Sequence, residues 1–412
     1  MKGKAIILPN ASQPCLLSFT LDGWTALGGQ VSMSLLDGVG VLVGRNGAGK
    51  SAILEGFEAI SSWAVGKFSR YRQFDIDSIP KILEVEILTP TERRLQFKYE
   101  LVVLSASTDD DLDSAIDDSA TESSEESQFS CNERCQYIDG AQEVLWTTEM
   151  GVTTVSDSDV TIHGSTSLLR RAKSKSLTLP DEMRWVYAVL SGVRLLGKTP
   201  IRQTYIRRPS LLQVSRKRPF STSSFLFREV DSLAGKMLRM KTEELNELES
   251  ICQRIGLGSK ITKPKFILSE ESKEITEDEN EEYITSVSLD GVNIGLLSDG
   301  TLRVLSLLIE LIASRPSITT IIEEPETQIN PGMLAKLLNE IETYTFGENL
   351  ILSTHSPQVV AWTSPDKINL VYRDHGRTIV RKLHEEEIKK VVEYLCEEGD
   401  LGDWLYSGVL DE

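Results

Sequence analysis

Residues 44–51 read GRNGAGKS and match the phosphate-binding pattern G-x-x-x-x-G-K-[ST] at every fixed position. Its glycines let backbone N–H groups face phosphate oxygens, its lysine adds positive charge at the β and γ phosphates, and its serine offers a hydroxyl to Mg²⁺. An apolar strand, GVGVLV, precedes the loop, and a helix-forming segment, AILEGFEAI, follows it. A glycine-rich turn that binds no ligand does not require this strand and helix around it. We therefore predict that the chain binds ATP and Mg²⁺. The predicted nucleotide-binding residues are Gly44, Arg45, Asn46, Gly47, Ala48, Gly49, Lys50 and Ser51.

Two carboxylates end the β-branched segment ITTIIEE at residues 318–324. P-loop enzymes place their metal and water chemistry at such a strand end. Glu323 is predicted to organise the Mg²⁺ shell together with Ser51, and Glu324 to act as the general base on the attacking water. Because successive strand residues point to opposite faces, the two carboxylates need separate tasks. Alone, the pattern also fits an ordinary exposed strand end; beside the phosphate loop, the catalytic interpretation is favoured.

Two further segments lie downstream of the loop in the sequence. Ser298, Asp299, Gly300 and Thr301 precede an apolar helix, and a serine-capped helix N-terminus can hold an anion. His355 follows a buried strand in the segment ILSTHSP. Taken singly, the first segment fits a simple helix cap and the histidine a satisfied turn residue. A functional role for the two segments is favoured only because they follow the phosphate loop in this order with the other motifs.

The pattern of elements predicts an α/β protein. Residues 15–43 and 83–104 contain short alternating strands, typical of an antiparallel lobe. From residue 283 onward, strands and helices alternate, which predicts a parallel core with crossover helices. Residues 226–255 have helical periodicity that ends at Gly256.

A break in composition separates these halves. Residues 105–130 contain nine acidic residues and eight serines without Lys or Arg, which predicts a mobile loop. Residues 170–218 contain thirteen basic residues against two acidic ones, which favours binding of nucleic acid or an acidic partner; the alternative is a solvated face that complements the protein's own acidic loops. We predict that these halves are residues 1–104 and 283–412 and that residues 105–282 form a helical insert between them.

Composition excludes several classes of protein. The net charge of −18 argues against a general nucleic-acid coat protein. No apolar stretch approaches the length of a membrane span, and the N-terminus lacks a secretory core, so we expect a soluble, cytoplasmic protein without membrane contact.

The five cysteines fit reduced thiols, and Cys131 and Cys135 are interpreted as free thiols rather than zinc ligands.

The order GRNGAGKS, LSDGTLR, IIEEPE and STHSP resembles the ABC ATPase superfamily. The resemblance is to the non-transporter branch with the SMC, RecF and OLD-type ATPases, including stand-alone ATPases of bacterial genome maintenance and anti-phage defence. It covers residues 15–104 and 283–412. The wider superfamily has Asp where this chain has Glu323, and transporters have LSGGQ where this chain has LSDGT.

The resemblance implies an ABC-type head with an antiparallel lobe and a parallel core. It assigns 44–51 as Walker A, Glu323 as the Walker B metal-shell residue, and Glu324 as the catalytic glutamate. It makes His355 the switch histidine at the γ-phosphate. It makes 298–301 a signature that reaches the γ-phosphate of the opposite protomer, and 325–330 the D-loop. The functional unit it implies is a head-to-tail homodimer, or a higher homo-oligomer, that encloses two ATP molecules.

Several functions follow as hypotheses. The favoured one is an ATP-driven switch that controls a separate effector, a nuclease or toxin, in anti-phage defence. The alternative is a DNA repair or recombination ATPase acting directly on DNA. An ATP-binding scaffold is less favoured because Glu324 and His355 are retained. An OLD-type nuclease on this chain would need a Toprim-like acidic cluster, which the 57 residues after His355 do not show. The signature and the insert disfavour a transporter subunit.

Overall fold

The structure of the chain, a computed structural model, describes most of the predicted head. The described residues are 13–35, 38–67, 79–103, 129–140, 142–149, 152–156, 158–163, 167, 169, 180–197, 212–213, 233–267, 283–312, 318–384 and 386–387. They fall into two compact units. The first unit lies within Met1–Leu195, Pro316–Glu323 and Gly347–Glu412, and the second within Leu196–Arg315 and Glu324–Phe346.

The strands, in chain order, are β1 (Cys15–Asp22), β2 (Val31–Ser34), β3 (Val39–Val43), β4 (Ile82–Leu88), β5 (Arg94–Val103), β6 (Phe129–Tyr137), β7 (Val144–Glu149), β8 (Val152–Val155), β9 (Ser158–His163), β10 (Val193–Leu196), β11 (Leu212–Gln213), β12 (Ile261–Thr262), β13 (Lys265–Ile267), β14 (Tyr283–Thr285), β15 (Ser288–Leu289), β16 (Val292–Asn293), β17 (Thr319–Glu323), β18 (Asn349–Thr354), β19 (Ile368–Asp374) and β20 (Arg377–Lys382). The α-helices are α1 (Lys50–Ala64), α2 (Asp181–Ser191), α3 (Leu233–Arg239), α4 (Thr242–Ile255), α5 (Asp299–Ile312), α6 (Pro331–Tyr344) and α7 (Pro357–Trp362). Short 3-10 helices span Ile294–Leu296 and Pro365–Lys367.

The first unit contains an eight-stranded antiparallel sheet in the order β2-β1-β4-β5-β6-β7-β8-β9. Buried and partly exposed side chains alternate along its strands, as expected for a sheet with one buried face. In β4, Leu83, Val85 and Ile87 are buried, whereas Glu84 and Glu86 between them are partly exposed. Side chains on one face can therefore enter the core while the other face stays polar.

A six-stranded sheet, in the order β10-β17-β18-β3-β19-β20, also belongs to this unit. The strands β17, β18, β3 and β19 pair in parallel, and β20 pairs antiparallel to β19. Every residue of β18 is buried, as is typical of parallel strands covered on both faces. The predicted combination of an antiparallel lobe and a parallel core is confirmed.

One hydrophobic core joins both sheets of the first unit to α1. Apolar residues recur along α1 with helical spacing, and Ile53, Phe57 and Ile60 are fully buried. The rings of Phe57 and Phe19 stack with centroids 4.1 Å apart and an interplanar angle of 10°. The helix that begins at the phosphate loop is thus fixed by packing along its length.

The second unit holds α3–α6, the sheet β11-β14-β13 and the sheet β12-β15-β16. Arg254 of α4 forms two hydrogen bonds with the Glu340 carboxylate of α6, at 2.9 and 2.8 Å. Asn330 caps α6 by accepting from Met333 N at 2.9 Å. The predicted end of a helix at Gly256 is confirmed, since α4 stops there and Gly256 adopts φ +86°.

The region predicted as an insert, 105–282, contributes to both units. Its strands β6–β9 extend the antiparallel sheet, because β6 pairs with β5 across the acidic segment, with Phe97 opposite Cys135. Its helices α3 and α4 belong to the second unit. The acidic segment 105–128 and most of the basic stretch 170–218 lie outside the described residues.

The cysteines at 15, 131, 135 and 252 are buried free thiols. Burial raises the pKa of Cys135 well above its usual value, and burial raises the pKa of Cys252 to about 12. Both thiols are therefore protonated and unreactive at neutral pH. In the described part of the chain, no helix is long and apolar enough to cross a membrane.

The substitution Phe57→Ala is expected to lower the free energy of unfolding by about 3–5 kcal/mol, because it removes a fully buried ring and leaves a cavity. Chemical denaturation followed by circular dichroism measures the change. The matched control is Phe346→Ala, whose side chain is 80% exposed. Equal effects of the two substitutions would show that the stacked pair does not hold α1 in place.

Candidate functional site

The β19–β20 hairpin lies so close to the phosphate loop that two loop positions must be glycine. A Cβ at Gly44 would lie 2.0 Å from the Val371 carbonyl oxygen. Gly49 has φ +107°, and a Cβ there would lie 2.4 Å from Thr378 Oγ1. Thr378 Oγ1 also donates to the Ala48 carbonyl at 3.1 Å. The loop therefore lies directly on the hairpin, which holds its backbone in position.

Lys50 lies inside this loop and is only 5% exposed. Its Nζ donates to the carbonyl oxygens of Gly44 at 2.8 Å and Arg45 at 3.2 Å. The same Nζ lies 2.8 Å from His355 Nε2. Because an ammonium group has no acceptor, Nε2 accepts this hydrogen bond and carries no proton in this arrangement. The positive charge predicted for phosphate binding is thus in contact with the predicted switch histidine.

The position of His355 follows from strand register. Thr354, the last residue of β18, pairs with Val43, the last residue of β3. The next residues, His355 and Gly44, therefore leave the same sheet edge side by side. Thr354 Oγ1 accepts from Ser356 N at 2.9 Å and fixes the turn before α7.

Glu323 is the last residue of β17 and pairs with Ser353 of β18. It lies on the same strand face as Ile321, which belongs to the core beneath α1. Ser51 is exposed in the first turn of that helix. A hydroxyl and a carboxylate are hard oxygen donors, the type that Mg²⁺ prefers.

The described residues contain no group of three or more His, Cys, Asp or Glu side chains able to hold a metal ion. Mg²⁺ in nucleotide sites takes one or two protein oxygens besides phosphates and water. Ser51 and Glu323 therefore fit the predicted metal.

Glu324 lies in the second unit in a left-handed backbone conformation, with φ +43°. Its carbonyl oxygen accepts from Thr327 N at 3.1 Å and from an Arg303 guanidinium nitrogen at 3.0 Å. Its carboxylate accepts from Thr327 Oγ1 at 3.2 Å. This conformation is uncommon outside glycine and is held here by hydrogen bonds on both the main chain and the side chain.

The segment 298–301 begins α5 in the second unit. Ser298 Oγ accepts from Thr301 N at 3.2 Å, which is a helix N-cap contact. Ser298 and Asp299 are exposed. A Cβ at Gly300 would lie 2.1 Å from the Gln328 carbonyl oxygen, so glycine is required there by the neighbouring loop. The cap interpretation is thus satisfied, and the exposed end remains accessible to a ligand.

The structure thus divides the predicted site residues between the two units. The phosphate loop, Glu323 and His355 belong to the first unit, whereas Glu324 and the segment 298–301 belong to the second. The chain passes from one unit to the other between the two adjacent glutamates.

Sequence reasoning did not find Thr378, because nothing in the segment around it resembles a motif and it lies 330 positions from Ala48. Trp24 packs on the core, and a Cβ at Gly56 would lie 2.7 Å from its ring.

A family model described as "AAA domain, putative AbiEii toxin, Type IV TA system" matches residues 208–361. The match includes the segment 298–301, both glutamates and His355, and the phosphate loop precedes it in the chain. This chain contains an AAA domain and is an ATPase. No curated protein matches the sequence of this ATPase.

Solved SMC heads are similar to this ATPase at low identity. An SMC head bound to the C-winged helix domain of ScpA is 12% identical over 91% of this chain and 99% of that chain, with a TM-score of 0.43. The Smc head with an extended coiled coil bound to the C-terminal domain of ScpA, derived from Pyrococcus furiosus, is 13% identical over 93% and 100%, with a TM-score of 0.42. The SMC head of Thermotoga maritima is 14% identical over 90% and 99%, with a TM-score of 0.39. The fold assignment of this ATPase rests on its strand order and its motifs.

The substitution Thr378→Val is expected to weaken ATP binding about fivefold, because it removes one hydrogen bond that supports the loop and preserves the shape of the side chain. A fluorescent ATP analogue measures the affinity. The control is Thr343→Val, whose hydroxyl donates to the Asn339 carbonyl at 2.8 Å on α6. Unchanged affinity in Thr378→Val would show that the hairpin does not position the loop for nucleotide binding.

Proposed function

We propose that ATP binding closes two copies of this ATPase around two nucleotides and that hydrolysis reopens them. The observation that carries the proposal is the 2.8 Å contact between Lys50 Nζ and His355 Nε2. A γ-phosphate entering the loop would compete for both groups at once, whereas ADP lacks that phosphate. A nucleotide can shift a conformational equilibrium only by its differential affinity for the two states, and this pair offers one source of that difference.

Each residue of the site has a task in this mechanism. The backbone N–H groups of 44–51 and the Lys50 ammonium bind the β and γ phosphates. Glu324 accepts a proton from the water whose oxygen attacks the γ-phosphorus, and the bond from that phosphorus to the β-γ bridging oxygen breaks to give ADP and phosphate. Ser51 and Glu323 would hold Mg²⁺, which neutralises charge on the phosphates when it is bound.

The exposed end of α5 supports a composite site. Ser298 and Asp299 are exposed, and a helix N-terminus carries a partial positive charge. We propose that this end contacts the γ-phosphate held by the partner's loop. Two such contacts related by a two-fold axis give a closed dimer.

The output we propose is control of a separate effector, a nuclease or toxin, in anti-phage defence. The family description, which names a toxin of a toxin–antitoxin system, supports this setting. Residues 170–218 contain thirteen basic and two acidic residues, which supports the alternative, an ATPase that acts directly on DNA. A nuclease or toxin whose activity changes with the nucleotide state of the ATPase distinguishes the first function from the second.

The substitution Glu324→Gln is expected to reduce the rate of ATP hydrolysis at least about 100-fold, because the amide cannot accept the proton. In ATP and Mg²⁺ the variant should accumulate as a dimer, measured by light scattering, since closure no longer ends in hydrolysis. The control is Glu342→Gln, an exposed residue of α6, which should hydrolyse ATP like the wild type. A variant that keeps wild-type turnover, or that stays monomeric with ATP, contradicts the assignment of the base or the dimer.

Mixing two inactive variants tests whether the site is shared between chains. Lys50→Ala removes the phosphate contact and Ser298→Arg blocks the α5 end, so each alone should be inactive. Random pairing of equal amounts should restore about a quarter of the wild-type rate, because half of the dimers contain one intact site of two. No recovery would mean that Ser298 acts on the nucleotide of its own chain or on none.

A further inference from the structure

Ser353 is a buried side chain with an unmet hydrogen bond. It is 1% exposed on β18, and its Oγ has no partner among the described residues. A hydroxyl can both donate and accept, and leaving it unpaired in the interior costs free energy. A residue such as Ala or Val would avoid this cost at a position where only packing matters.

The register of the parallel sheet places this hydroxyl beside the predicted metal residue. Ser353 pairs with Glu323 on one side and with Leu42 on the other. Laterally paired residues point to the same face of a sheet. Leu42 belongs to the core that contains α1, so Ser353 and Glu323 point to the face covered by that helix.

The helix on this face begins with Lys50 and Ser51 at the phosphate loop. Mg²⁺ gives up its water shell reluctantly and keeps several waters in nucleotide sites, and these waters need hydrogen-bond partners from the protein. In the described sheet, the residues that register places beside Glu323 are Ser353 of β18 and, one strand further, Leu42 of β3. Their main-chain groups are already used in the ladder, so the Ser353 hydroxyl is the side-chain hydrogen-bonding group at this place.

We propose that Ser353 Oγ binds a water molecule in the shell of nucleotide-bound Mg²⁺ beside Glu323. The inference rests on the proposed ATP site and adds to it an outer-shell residue that no motif contains. Ser353 makes no contact with the reacting atoms and acts as a positioning residue.

Two other buried hydroxyls of the first unit also lack partners among the described residues, and neither lies near the loop. Ser61 is at the C-terminal end of α1, and Thr319 begins β17, four residues before Glu323 and at the opposite end of the strand. Ser61 therefore supplies a matched control, because Ser61→Ala removes the same atom from an equally buried place.

The experiment uses the full chain with Glu324→Gln, which is expected to bind ATP without turnover. A Mg²⁺ titration of a fluorescent ATP analogue gives the metal concentration for half-maximal binding, and Mn²⁺ electron paramagnetic resonance measures the metal directly. Ser353→Ala should raise that concentration about tenfold, the lower end for outer-shell groups. Its nucleotide affinity in EDTA and its thermal stability without nucleotide should not fall. Ser353→Thr should restore the metal affinity, and Ser61→Ala should match the parent.

A metal titration of Ser353→Ala that superimposes on the parent, or an equal shift in Ser61→Ala, overturns the inference while the proposed function stands. Equal weakening of nucleotide binding with and without Mg²⁺ also overturns it, because the effect would then be structural. A parent that binds no nucleotide overturns the proposed function, and this inference with it.

Discussion

The parallel register of β17, β18 and β3 is the constraint on which the rest of the site depends. It aligns the ends of these strands, so that Glu323, His355 and Gly44 leave the sheet at one edge. A slip of one residue in β18 would move His355 to the other face and Ser353 out of the row of Glu323. The buried apolar residues on both faces of the strands oppose such a slip, and packing energy therefore sets the geometry of the chemistry.

The phosphate loop needs a second support, because glycine-rich backbone has no side chains to fix it. The β19–β20 hairpin supplies that support through the Val371 carbonyl and the Thr378 hydroxyl. In the second unit, the Gln328 carbonyl approaches the backbone of Gly300 in the same way, and glycine leaves room for it. Glycines of two motifs are thus explained by close contacts within each unit, independently of any bound ligand.

Local patterns predicted much of the fold and part of the site. The phosphate loop, the hairpin of β4 and β5 and the end of α4 at Gly256 follow from spacing and turn chemistry that act over a few residues. Long-range pairing was not predictable: β6–β9 lie in the region expected to be an insert, because nothing in their sequence specifies β5 as a partner. The contact of Thr378 with the loop and the position of Ser353 beside Glu323 were not predictable for the same reason, since both depend on strands distant in sequence. The roles of the phosphate loop, Glu323, Glu324, His355 and the segment 298–301 remain predictions.

The most direct test of the central claim, that two chains share each ATP, is a crystal structure of the Glu324→Gln variant with ATP and Mg²⁺. We expect Lys50 Nζ to have left His355 Nε2 for phosphate oxygens, and Ser298 of a second chain to contact the γ-phosphate. ATP bound in the loop of one chain, with Ser298 of every neighbour facing solvent and Lys50 still on His355, would contradict the claim.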